Sequence, residues 1–315
     1  MATIFKAKSV NQTITECSAI NAPMELWGQY WLEGEACCLY ADTNLGKSVL
    51  AVQIADHVSR MIPNDQSVLY YDFELSGKQF EMRYTNQDTH DVHKFRNNFI
   101  RVELDSTVLS PKEMAHLEDI IIEGIEENIA QYNSKYIIID NISWLVNMKS
   151  SAAAAGVLMQ KLSLLKKKYG LSALVLAHTK KRNLKRGIDE NDLGGSKKFA
   201  NFFDAMFTIG RAKGENGMRY LKQVKVRSGA FKHGSDNVEV CKLGKAGANL
   251  VFTTVGEMKE EDAISYGMAK KESLTKKKMK GGKSELAESQ IRRVEEWVNQ
   301  NHKKRTVLDI LFEKK

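Results

Sequence analysis

Eight consecutive residues constrain this chain more than any others: Ala41-Asp42-Thr43-Asn44-Leu45-Gly46-Lys47-Ser48. They follow an apolar run, Ala36-Cys37-Cys38-Leu39-Tyr40, and lead into a helical pattern, Val49-Leu50-Ala51-Val52-Gln53-Ile54-Ala55. Strand, small-residue loop, Gly-Lys-Ser and helix is the layout of a phosphate-binding P-loop. Backbone N–H groups of such a loop point inward and cradle a phosphate at the positive end of the helix dipole. Lys47 is then expected to neutralise phosphate oxygens and the Ser48 hydroxyl to ligate Mg²⁺. Ala41 stands where the usual pattern has its first glycine, so its backbone must be one that a β-carbon tolerates.

The chain around this motif is large enough to bury it. At 315 residues and 43% hydrophobic, it has room for one large α/β domain with an appendage, or two modest domains. Four cysteines, Cys17, Cys37, Cys38 and Cys241, lack metal-binding spacing. Cys37 and Cys38 fall inside the apolar run and read as small core residues, as in a reducing cytosol. The N-terminus has no apolar signal region, and no run of 18 apolar residues occurs. Neither secretion nor membrane spanning is expected, and a cytoplasmic location is. A formal charge of +8 favours a polyanionic partner beyond the nucleotide.

Hydrophobic patterning extends the strand–helix alternation. Residues 1–25 form a polar lead-in, and Trp27 to Glu35 run into the first strand. Further strands are expected at Ser67–Phe73, Phe99–Glu103, Tyr136–Asp140 and Ser172–Ala177, with helices at Glu113–Tyr132 and Ala152–Tyr169. This argues a mainly parallel sheet with helices on both faces. Shorter strands at Ala205–Ile209, Met218–Val226, Asn237–Lys242 and Leu250–Thr254 suggest an antiparallel extension at the C-terminal side. The expected division is a core over 26–256, a basic linker over 257–283 and a short helical basic tail over 284–315.

Three polar residues sit where strands end. Asp140 closes the most apolar strand and suits a Mg²⁺-holding carboxylate; Asn141 follows it, so the catalytic base must come from elsewhere. Glu74 is the candidate, because the carboxyl ends of the strands line one crevice, and Asp72 competes with it. His178 follows the Ala173–Ala177 run, where a polar group can sense the γ-phosphate or serve structure.

In this order, P-loop, Glu74, Ile137-Ile138-Ile139-Asp140-Asn141-Ile142-Ser143 and Leu176-Ala177-His178-Thr179, the motifs resemble the RecA-type ATPase core. They look most like the branch of plasmid RepA-like and DnaB-like replicative helicases, among the AAA_25-like ATPases of mobile elements. Leu193-Gly194-Gly195-Ser196 with Asp204-Ala205 resembles that family's Gly-Ser…Asp segment, and Lys225-Val226-Arg227-Ser228-Gly229 its Lys-x-Arg-x-Gly element. The resemblance covers roughly Trp27 to Thr254 and implies a RecA-like core that hydrolyses ATP with Mg²⁺. It implies that residues 41–48 bind the nucleotide, Ser48 and Asp140 the metal, that Glu74 is the base and His178 the sensor. It makes Lys225 and Arg227 cations that complete a neighbour's site, hence a homo-oligomeric ring, most commonly a hexamer. Ala41 and the lack of a separate N-terminal helicase-type domain depart from the pattern.

Such proteins hold DNA on loops after the Asp140 and His178 strands. The second loop here, Thr179 to Gly187, carries Lys180, Lys181, Arg182, Lys185 and Arg186. These suit phosphate tracking along single-stranded DNA, or equally a solvated face, and no aromatic residue is present for base stacking. The first loop, near Asn147 to Ala155, offers Lys149. Two functional readings result: an ATP-driven motor on single-stranded DNA, and an ATPase switch that binds DNA or protein without unwinding. A non-DNA kinase is disfavoured, since no acceptor-binding lid is evident.

Overall fold

The computed structural model describes residues 5–105, 108–110, 116–142, 152–194 and 199–264. Within them, a small antiparallel pair, β1 (Glu25–Trp27) and β2 (Trp31–Leu32), precedes a nine-stranded sheet. Its strands are β3 (Ala36–Ala41), β4 (Ser67–Asp72), β5 (Phe99–Glu103), β6 (Ser134–Asp140), β7 (Ser172–His178), β8 (Ala205–Arg211), β9 (Met218–Val226), β10 (Val238–Ala246) and β11 (Asn249–Met258). The spatial order is β11-β10-β9-β8-β3-β7-β6-β4-β5. From β8 to β5 all pairings are parallel, and from β8 through β11 they are antiparallel. The expected α/β architecture, parallel core and antiparallel C-terminal extension, is the one observed.

The apolar runs become central strands because both sheet faces are covered. Alternation along β3 divides them. Cys37, Leu39 and Ala41 face one cluster with Val49, Leu50 and Ile54 of helix α2 (Lys47–Met61). Cys38 and Tyr40 face the other, with Ile121, Ile125 and Ile129 of α4 (Leu117–Gln131) and Leu162 and Leu165 of α5 (Ala152–Tyr169). Each fully buried Leu or Ile contributes about 1.5–3 kcal/mol relative to exposure. Both cysteines are free and buried, as small core residues. Among the described residues, no helix is long and apolar enough to cross a membrane.

Several elements differ from expectation. The polar lead-in contains a helix, α1 (Val10–Ser18), capped by the Ser9 hydroxyl on Gln12 N at 3.1 Å and burying no residue. Trp27–Glu35 is the turn and second arm of the β1–β2 pair, with Leu26 and Trp31 fully buried. A further helix, α3 (Gly77–Arg83), starts on a capping box between Ser76 and Gln79. Strands β10 and β11 run several residues past their expected ends. The expected linker and helical tail beyond 264, Gly195-Ser196, Ser143 and Lys149 lie outside the described residues.

Topology makes the crevice. The chain leaves β3 through α2 and crosses two strand positions to β4; β6 and β7 later fill the gap. The carboxyl ends of β3, β7, β6 and β4 therefore line one edge, with Ala41 paired to His178 and Asp72 to Asp140.

Candidate nucleotide site

Between β3 and α2 the loop turns through two left-handed residues, Asn44 (φ 62°) and Gly46 (φ 96°). A β-carbon at Gly46 would also come within 2.9 Å of Leu243 and Phe252, so glycine is required there both by backbone conformation and by the overlying β10–β11 hairpin. Ala41 is the last residue of β3, buried and paired on both sides. Ordinary strand backbone accommodates its methyl group, which accounts for the absent glycine.

Lys47 is buried, and its ammonium donates to the Ala41 carbonyl at 3.0 Å and the Asp42 carbonyl at 3.4 Å. Burial lowers its pKa, while Asp140, Glu74 and Asp42 pull it upward. Asp140 is fully buried. Its Oδ2 accepts the Tyr70 hydroxyl proton at 2.6 Å, whereas Oδ1 has no well-formed partner, although the Ser48 hydroxyl is close enough to lower the acid's pKa. Burial outweighs these contacts and pushes the carboxyl up to about 6. An orphaned carboxylate oxygen beside a hydroxyl is a donor set that fits a hard divalent cation.

Glu74 follows β4 and reaches the same crevice. Its Oε1 accepts a hydrogen bond from Asn141 Nδ2, and His178 Nε2 stands 3.7 Å from it. The closeness of His178 is the main cause holding Glu74 below the usual carboxylate range; Asn141 and Lys47 add to it against the opposing effect of burial. His178 Nδ1 lies 3.2 Å from the Lys47 ammonium. An ammonium has no lone pair, so Nδ1 accepts, while Nε2 lies 3.2 Å from the Asn141 amide nitrogen and 3.7 Å from Glu74 Oε1. Lys47, His178, Asn141 and Glu74 thus form one chain of contacts. Asp72, the competing acid, is occupied elsewhere: its Oδ1 caps the N–H groups of Glu74 and Leu75, and its Oδ2 accepts from Arg101 Nε at 2.9 Å. Glu74 keeps 39% of its side chain exposed and is the acid available to the crevice.

The remaining expected residues lie elsewhere. Val226 pairs with Ala205, which pairs with Cys37, so Lys225 and Arg227 sit at the opposite end of the sheet from Ala41. Five residue positions separate Arg227 from the P-loop edge, about 17 Å along the strands. Lys225 donates to the Ala200 carbonyl at 2.8 Å, and Arg227 to Asp204 at 3.1 Å with 53% of its side chain exposed. In the loop after β7, Lys180, Lys181 and Lys185 are exposed. Arg182 instead turns inward onto Asp42 of the P-loop, and Arg186 pairs with Asp189 and Asp192. Neither arginine is a free cation in the manner expected of a phosphate-tracking residue. Tyr70 and Asn141 belong to the site although nothing in the sequence reading assigned them; the absence of glutamate after Asp140 was the only signal at Asn141.

A profile of the AAA_25 family, described as an AAA domain, matches residues 5–183. This chain belongs to the AAA_25 family. The match spans the P-loop, Glu74, Asp140 and His178, and this AAA_25 protein is a P-loop ATPase with a RecA-type core. Its fold is similar to that of the KaiC-like protein PH0186 from the hyperthermophilic archaeon Pyrococcus horikoshii OT3, with a TM-score of 0.50 and 12% identity over 71% of this chain and 91% of that one. No curated protein matches it in sequence.

Proposed function

We propose that this ATPase is a motor on single-stranded DNA, of the kind represented by RepA-like helicases and replication ATPases of mobile elements, and that it acts as a homo-oligomeric ring, a hexamer. The observation that carries this reading is the separation of its cations. Arg227 lies too far from its own crevice to serve it, is half exposed and stands beside Lys225 at the opposite end of the sheet. A second copy that sets its crevice against that end receives Arg227 as a trans-acting finger and Lys225 as its companion.

In the assembled site, backbone N–H groups of residues 41–48 bind the triphosphate, and Lys47 leaves its loop carbonyls for the phosphate oxygens. Ser48 and Asp140 would hold Mg²⁺, which supplies charge neutralisation at the β- and γ-phosphates. Glu74, kept ionised by its neighbours, orients and polarises the attacking water rather than acting through high basicity. His178 touches both Lys47 and Glu74 and is suited to sense the γ-phosphate.

The DNA assignment draws on charge. Residues 265–315 hold fourteen Lys and Arg against seven Asp and Glu, so they carry seven of the eight net positive charges. Lys180, Lys181 and Lys185 add an exposed cluster on the body. ATPase activity with and without single-stranded DNA, together with the oligomeric mass, tests the reading; an unstimulated monomer would sink it. The second reading, a KaiC-like switch without unwinding, is favoured by the internal pairing of Arg182 and Arg186, which leaves only three free cations in that loop. Stimulation by DNA without displacement of a forked duplex selects it.

A further inference from the structure

Residues 179–182 are fastened to the P-loop at three points. Thr179 N donates to the Ala41 carbonyl at 3.3 Å, and the Thr179 hydroxyl donates to Asp42 Oδ1. Arg182 grips the other oxygen, Oδ2, through Nε at 3.2 Å and Nη2 at 3.1 Å, with 5% of its side chain exposed. An acidic residue inside a phosphate-binding loop repels the ligand unless it is neutralised, and a paired guanidinium with a hydroxyl does this. The carbonyl of the same Asp42 is also one of the two that hold Lys47.

The other side of the segment faces outward. Lys180 and Lys181 are exposed directly beside Arg182, and Arg182 Nη1 reaches back to the Arg186 carbonyl at 3.4 Å. The foot of the loop is fixed: Ile188 N donates to the buried Glu260 at 2.8 Å, and Lys222 donates to the Ile188 carbonyl at 2.7 Å.

We propose that residues 179–182 are a strap through which a polyanion held at Lys180, Lys181 and Lys185 sets the affinity of the P-loop for triphosphate, with Arg182 and Asp42 as its joint. Arg182 is a positioning residue in this scheme, acting through Asp42. The three exposed lysines, Lys180, Lys181 and Lys185, repel the Arg182 guanidinium beside them. A strand of phosphates on the outer lysines relieves that repulsion, so the guanidinium stays on Asp42 and the loop stays receptive. By linkage, nucleotide tightens polyanion binding by the same factor. The outer half of the scheme rests on the DNA reading; the joint itself does not.

The test is the affinity of a fluorescent ATP analogue for the full chain, with and without oligothymidine. In the wild type, oligothymidine should tighten the analogue by about fivefold or more. Arg182→Ala should weaken it about tenfold and abolish the response, with Arg182→Lys intermediate. The double variant Asp42→Asn/Arg182→Ala should regain affinity, since the unpaired acid is gone, but not the response. That recovery also demonstrates a folded protein. An intact response in Arg182→Ala, or no recovery in the double variant, overturns the joint. A wild type that binds oligothymidine without any change in ATP affinity overturns the coupling alone. One that does not bind oligothymidine overturns the outer half together with the DNA reading.

Discussion

The two ends of the parallel sheet are built on opposite terms. At the carboxyl ends, Lys47, Asp140 and Arg182 are buried and tied to partners within the chain. At the other end, Arg227 shares Asp204 with Lys166 and keeps half of its surface in water. Desolvated groups at the crevice interact strongly with partners of their own chain, whereas the exposed arginine is held weakly and can be handed over. In the proposed ring, the pocket on one end and the arginine on the other would together make a composite site.

The sharpest way to break this comparison is to remove the spare cation. Arg227→Ala should lower turnover by about 10³-fold or more while leaving nucleotide binding nearly intact. Mixing it with Glu74→Gln subunits should restore part of the activity, because some mixed interfaces then hold one complete site. Full activity in Arg227→Ala would refute the trans assignment. Glu74→Gln alone should cost about 10²–10⁴ in turnover with binding retained, measured by steady-state ATPase and analogue titration.

The buried end is sharpened by pH. Asp140 has its pKa raised from 3.8 to about 6, so the folded protein holds a proton that the unfolded chain releases. Its contribution is therefore most favourable below about pH 4 and is lost as pH rises through about 6, by an amount on the order of 3 kcal/mol. Asp140→Asn should accordingly raise the melting temperature of the nucleotide-free protein above pH 6 and have little effect near pH 4. The same variant should lose Mg²⁺-dependent hydrolysis. An unchanged melting profile across that range would contradict the burial argument. The smallest effects belong to the outer lysines. Alanine at Lys180, Lys181 or Lys185 should each weaken binding to single-stranded DNA modestly and flatten the log-log salt slope by about 0.7.

How far the sequence was legible follows from how local each signal is. Strands β3, β6 and β7 are continuous apolar runs between polar boundaries, and β9 and α5 match their expected bounds, because period and run length are written in neighbouring residues. The P-loop is legible for the same reason. Ser9 with Gln12 and Ser76 with Gln79 were local cap signals that announce α1 and α3. The pairings of Tyr70 with Asp140, Asn141 with Glu74 and Arg182 with Asp42 span 67 to 140 residues, so no periodicity reports them. Arg182 shows the consequence: in a run of cations its type says phosphate contact, while its geometry commits it to an acid in the loop beside it.

The lid of side chains over Gly46 has a consequence for how the protein is made. Gln53 exchanges two hydrogen bonds with the Phe252 backbone across 199 residues, Arg219 reaches the Leu45 carbonyl, and Lys245 caps the end of α3 through the carbonyls of Arg83 and Thr85. The phosphate loop therefore leaves the ribosome well ahead of its roof, since 199 residues separate Gln53 from Phe252. Until residues near 252 have emerged, the nascent chain carries a P-loop without the contacts that roof it.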